Sequence, residues 1–247
     1  MNQVLTKKKR FISLVRDTTF KYLFKNSEFR KYLEDIIHKK TKYDLSDYQI
    51  IDNEDNTGND RKDYRFDLLL YKEGHLVIIV MQTSSTNSAR IKDYQYLFRK
   101  ASRRFDQGEK YTEKKTTLIR FCNFRHKEIK KLELSYYVLK DLYSDSIISD
   151  IESFEIFLPT FSKLYYNRYD EIDKRLVLFN CKSYEEMESL TTNSYDIKLI
   201  QELRRLSMDN EFIDHYDFEN VQRKLQNSIR DESYQEGIIK GMNVDRN

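Results

Sequence analysis

The chain has 247 residues, enough for one large domain or for one domain with a helical extension, and 39% hydrophobic against 34% charged residues supports a real core under a very polar surface. Its 44 basic and 41 acidic residues leave a net charge of only +3, which excludes a bulk electrostatic case for a nucleic-acid partner, so any basic surface must be local. With 5 Gly and 1 Pro there are few chain breakers, so long helices are expected, and the longest purely apolar run, residues 76–81, is far too short to span a bilayer.

Residues 17–40 predict one helix, with Asp17 or Thr18 as cap and Phe20, Leu23, Phe24, Tyr32, Leu33, Ile36 and Ile37 recurring near a 3.6-residue period. The polar stretch 53–63 predicts a loop. Two strands follow, 64–71 and 76–82, joined by Lys72-Glu73-Gly74-His75, a connection of hairpin length. The second is apolar on both faces from Leu76 to Val80, which places it in the middle of a covered sheet. A helix is predicted from the polar residues 84–88 to about Phe105, with Tyr94, Leu97, Phe98, Ala101 and Phe105 as its apolar stripe. Residues 116–124, 132–139 and 154–158 predict three more strands, and from Asp170 to about Lys240 the character is helical throughout. The order predicts an α/β domain, a central mixed sheet flanked by helices over residues 1–166, followed by a helical C-terminal region over 167–247.

Asp67 interrupts an otherwise apolar strand, and Gln82 ends the neighbouring one on the same face as Ile78 and Val80. Burying such groups unpartnered costs roughly 1–3 kcal/mol for an amide and more for a carboxylate, so something must compensate them. By spacing alone Asp67 caps a turn or pairs with Arg65 or Arg90, and Gln82 simply marks the strand end.

The wider pattern adds a second reading. Asp67, twelve residues, then Val80-Met81-Gln82 resembles the Asp…Glu-x-Gln signature of the PD-(D/E)XK nucleases. Residues 17–24 resemble the opening "D-x-x-F-K-x-L-F" helix of the Rpn family, the recombination-promoting nucleases also described as PD-(D/E)XK transposases. Arg65-Phe66-Asp67-Leu68 resembles that family's "R-x-D-(V/L)" strand, Arg90 with Tyr94 its "R-x-x-x-Y" helix, and Gly108 with Tyr111 its "G-x-x-Y" turn. The resemblance implies a restriction-endonuclease-like core and metal-dependent hydrolysis of a phosphodiester. Mg²⁺ or Mn²⁺ would be held by carboxylates, Asp67 among them, with Gln82 orienting water or phosphate. It also implies nucleic acid as partner, DNA first. The chain departs from the pattern where the second carboxylate belongs, because that position is Val80. Asp17, Glu34 and Asp93 are the candidate compensating carboxylates; by their sequence positions all three equally suit capping or surface charge.

Lys92, Arg99, Lys100, Arg103 and Arg104 fall opposite the apolar stripe of the 88–105 helix and, with Arg90, form the candidate nucleic-acid surface; a solvated charged face is the alternative. The amphipathic segment 196–206 offers a different role, pairing with a second copy through the helical region. Cys122 and Cys181 match no metal spacing and no apolar stretch follows the basic start at Lys7 to Arg10, so a cytoplasmic chain with reduced thiols and no membrane partner is expected.

Overall fold

A strand that is apolar on both faces needs cover on both sides. The computed structural model of the chain, which describes residues 10–51, 67–102, 115–141, 143–191, 193–218 and 233, supplies it. The strands are Gln49–Ile50 (β1), Leu68–Lys72 (β2), His75–Gln82 (β3), Thr116–Cys122 (β4), Leu134–Lys140 (β5) and Ile147–Phe157 (β6). They form one six-stranded sheet in the order β1-β2-β3-β4-β6-β5. β3, β4 and β6 run parallel, and the outer pairs β1–β2, β2–β3 and β5–β6 are antiparallel, so the sheet is mixed. Every residue of β4 is buried, as a central parallel strand requires. β5 is half-buried, carries a register shift after Val138 and forms one edge.

The expected helix over 17–40 is two helices, Asp17–Lys25 (α1) and Ser27–Thr41 (α2). Asn26 breaks it: its backbone is extended and its side chain accepts the Glu28 N–H, capping α2. Both helices lie on one face of the sheet, where Phe20 packs on Phe121 of β4 at 5.7 Å between ring centroids. Glu171–Leu178 (α4) joins this layer, with Phe179 just past its end stacked on Phe24 and Phe121. The other face is covered by Asn87–Ser102 (α3), whose Tyr96 and Leu97 pack on Leu69, Ile78, Val80 and Leu118.

The stripe expected for α3 is rotated. Phe98 is exposed and Tyr96 is in the core, because Arg90 and Asp93 turn toward the sheet to meet charged partners there. The helical region is also not continuous. After Asp170, which caps α4 by accepting the Ile172 and Asp173 N–H groups, come Tyr184–Leu190 (α5) and Ser194–Leu206 (α6), then a helical stretch over 210–218. The chain divides into two compact units, Ser13–Ile200, which contains the whole sheet, and Met1–Ile12 with Gln201–Asn247. The sheet-bearing unit runs past residue 166 through α4 and α5. Within the second, Arg10 pairs with Asp217 at 2.5 Å and lies over the Tyr216 ring. Among the described residues no helix is long and apolar enough to cross a membrane.

Candidate functional site

Asp67 lies just ahead of β2, one step past the Leu68–Ile79 pair and so opposite Val80. It is 3% exposed. Its Oδ2 accepts the Met81 N–H, and its Oδ1 is 3.2 Å from Lys21 Nζ. Lys21 stands one helical turn after Asp17, and its Nζ donates to Asp17 Oδ2 at 3.0 Å. Asp17 and Asp67 also share a side-chain hydrogen bond. α1 thus delivers an acid and an ammonium to the end of the strand pair that carries Asp67.

The three groups answer this in different directions. Burial pushes the Asp67 carboxyl well above the usual range, and the hydrogen bond and charge of Asp17 push the same way against Lys21 and the Met81 N–H. Burial would also raise Asp17, but its bond to Asp67 and the charge of Lys21 outweigh that and lower it. For Lys21 burial would lower the value, and the two acids together raise it. Both directions favour the proton on the buried Asp67 over Asp17.

Of the three compensating carboxylates, Asp17 is brought to Asp67 while Glu34 and Asp93 are held elsewhere. Glu34 pairs with Arg30 at 2.9 Å, one turn earlier on α2. Asp93 accepts from Gln82 Nε2 at 3.0 Å and pairs with Arg120 Nε, also at 3.0 Å. Val80 is core, packed among Ile78, Tyr96, Leu97 and Leu118. Gln82 uses both ends of its amide, since Oε1 accepts the Ser84 N–H at 3.2 Å.

Beyond Gln82 a polar chain crosses the same sheet face. Register pairs Val80 with Arg120 and Arg120 with Glu155, so the three share one row across β3, β4 and β6. Arg120 is 1% exposed and donates through Nη1 to Glu155. Glu155 also meets Arg90 Nε at 3.3 Å and accepts from the Tyr137 hydroxyl at 3.2 Å. Arg90 therefore serves this network, with its guanidinium 4.7 Å from the Tyr137 ring. Arg120 and Glu155 were detectable by the signal that singled out Asp67, one charge in an apolar strand, and sequence reasoning passed over them. Lys21 lies within the 17–24 segment and is the third residue of the site.

No family model, curated protein or solved structure matches the chain. Mg²⁺ is commonly held by one or two carboxylates, with water and substrate phosphates completing the shell. Asp17 and Asp67 fit that donor set: hard oxygens, one near solvent and one buried, already converging on a cation, the Lys21 ammonium. Among the described residues no group of three or more His, Cys, Asp or Glu is gathered to hold a metal, so a metal would depend on this pair.

The candidate basic surface is only partly in view. Arg99 and Lys100 are half-buried in the last turn of α3, Lys100 lying 5.7 Å from the Tyr96 ring. Arg103 and Arg104 lie outside the described residues, as does Arg65, an expected partner of Asp67. Cys122 and Cys181 are free and buried, and burial pushes both thiols up to about 12.

Proposed function

We propose that the chain is an Rpn-like protein of the PD-(D/E)XK kind that hydrolyses phosphodiesters in nucleic acid, DNA first, with Asp17 taking the place of the carboxylate missing at Val80. One observation carries this reading: Asp17 and Asp67, distant in sequence, meet at one ammonium at the end of a central strand. The mixed sheet with helices on both faces is compatible with such a core.

Asp17 and Asp67 would hold Mg²⁺ or Mn²⁺, which when bound polarises the scissile phosphate and lowers the pKa of an attacking water. To serve as a ligand Asp67 must first give up its proton, so metal uptake releases a proton and strengthens as pH rises. Lys21, kept charged by the two acids, can then turn its ammonium to a phosphate oxygen. Gln82 anchors Asp93 and the Ser84 turn, and so contributes by holding the start of α3 against β3.

A non-catalytic nucleic-acid-binding protein is the second reading, favoured by Val80 lying in the core as an apolar side chain. Purified protein incubated with DNA and with RNA in Mg²⁺ or Mn²⁺ separates the two. Cleavage that disappears with chelator and in Asp17→Asn and Asp67→Asn supports the first. Retained binding with no cleavage in either metal overturns it in favour of the second.

A further inference from the structure

The C-terminal ends of β3, β4 and β6 open onto a small cleft of about 60 Å³ that the acid pair does not use. Crevices outside the carboxyl ends of parallel strands are where open α/β sheets bind ligands. Four cationic side chains, Arg90, Arg120, Arg125 and Lys127, line this one against a single carboxylate, Glu155. Arg120 is almost wholly buried; its Nη1 donates to Glu155, while its Nε, 3.0 Å from Asp93, has no hydrogen-bond partner among the described residues. A guanidinium nitrogen in that position, on a side chain lining a cleft, is a donor that awaits an acceptor.

Three further features point the same way. His126 Nδ1 accepts the N–H groups of Glu128 and Ile129 at 3.3 and 3.1 Å, which leaves the ring proton on Nε2 as a donor at the cleft wall. Arg125 and Lys127 are exposed and make no ion pair among the described residues. Ser84 to Asn87 bring the start of the 16-residue helix α3 to the same cleft, and its first turn carries no acid. Thr86 Oγ1 accepts the Ala89 N–H, so this helix start, with its positive end of the dipole, is fixed at the cleft.

We propose that this cleft is a phosphate-binding pocket, separate from the Asp17–Asp67 pair, that takes the phosphate group of a nucleotide or of a nucleic-acid strand. Arg120 and the α3 N-terminus form its fixed floor and wall, while Arg125, His126 and Lys127 close over the charge. The pocket lies on the sheet edge that also carries Asp67, with β4 two strands from β2 and so about 10 Å away. Its ligand class follows the proposed function, but its existence rests on its own residues.

The test reads binding without metal and without cleavage, so a chain that never cuts DNA could still pass it, and a failure here would leave the acid pair's reading standing. The full chain is titrated calorimetrically with inorganic phosphate, with adenosine 5′-monophosphate and with an oligonucleotide bearing either a 5′-phosphate or a 5′-hydroxyl, all at constant ionic strength. Phosphate binding that weakens roughly tenfold in Arg125→Ala/Lys127→Ala is expected, the loss of two charge-assisted contacts. Those two side chains are exposed and make no ion pair among the described residues, so the variant should melt with the native chain. A preference for the phosphorylated strand that the variant loses assigns the pocket to a strand; binding of phosphate and mononucleotide without that preference assigns it to a free nucleotide. No phosphate binding by the native chain, or equal binding by the variant, overturns the proposal.

Discussion

Asp67 and Asp17 share one ammonium, yet the first is pushed well above an ordinary carboxyl by burial and by its neighbour, while the second is held below it. A raised native value means the folded chain binds the Asp67 proton more tightly than the unfolded chain does. That contribution to stability is complete below the ordinary aspartate value of about 3.9 and is lost as pH rises through the raised one. Asp67→Asn keeps an oxygen for the Met81 N–H and a donor for Asp17, and it cannot titrate. In urea unfolding at a series of pH values, the stability difference should therefore move in the variant's favour as pH rises; a difference independent of pH would contradict the raised Asp67 value. Lys21→Met removes the cation between the acids and should cost about 1–3 kcal/mol, no more, because Asp67 can stay protonated. Val80→Glu tests the position opposite Asp67. It places a carboxylate among Ile78, Tyr96 and Leu118 and should lower the melting temperature in chelator. Mn²⁺ should restore more of that loss than any gain it gives the native chain, by about 2.7 kcal/mol at a concentration one hundred times its dissociation constant. Melting curves that ignore the ion would separate Val80 from the site.

At the level of elements, the β2–β3 hairpin shows a local rule at work. Lys72 pairs with His75, and the two residues between them, Glu73 and Gly74, have φ of 43° and 86°. Both central positions positive is the type I′ geometry, which favours Asn-Gly, so Gly74 is suited to its place and Glu73 is not. Glu73→Asn should stabilise the chain by about 0.5 kcal/mol in equilibrium unfolding, and Gly74→Ala should cost about 1 kcal/mol. The two-strand pattern was plain in the sequence because local chemistry decides it. Asn26 was not: seven apolar residues in register on the two sides of it read as one helix, and a single side-chain cap interrupts them. α3 shows the other kind of failure. Its start was legible, but its face is set by Asp93 and Arg90 reaching charges on β4 and β6, contacts with no trace in local periodicity. Asp17 and Asp67 were each visible as candidates for the same reason that their meeting was not. Charge in an unusual place is a sequence property, and adjacency belongs to the fold.

Across the whole sheet the polar groups gather at both ends of the parallel strands, and the two ends titrate in opposite senses. Opposite the Asp67 end sits Glu152, 4% exposed, accepting from Thr117 at 2.9 Å, from Tyr136 at 2.9 Å and from Tyr43, with Lys115 at 3.2 Å. His75 extends this network, Nε2 to Thr117 at 2.8 Å and Nδ1 to the Tyr48 hydroxyl at 2.7 Å, so that β3, β4, β6 and the segment before β1 are tied together. Burial alone would raise Glu152, but the three hydroxyls and the ammonium lower it. A lowered native value gives stability that is complete above the ordinary glutamate value of about 4.3 and is lost as pH falls through the lower one. Glu152→Gln offers one acceptor oxygen and turns an NH₂ toward hydroxyls that were donating, so it should cost about 1–3 kcal/mol at neutral pH. That is a melting point lower by about 2–12 °C for a chain of this size. The same variant should lose less stability than the native chain on acidification, because the charge that acid removes is already gone. Combined with Asp67→Asn, which acts on the rising-pH side, it should broaden the pH range of near-constant stability in both directions. If the double variant broadened only one side, the two ends of the sheet would be communicating through the Arg120–Glu155 row rather than titrating independently.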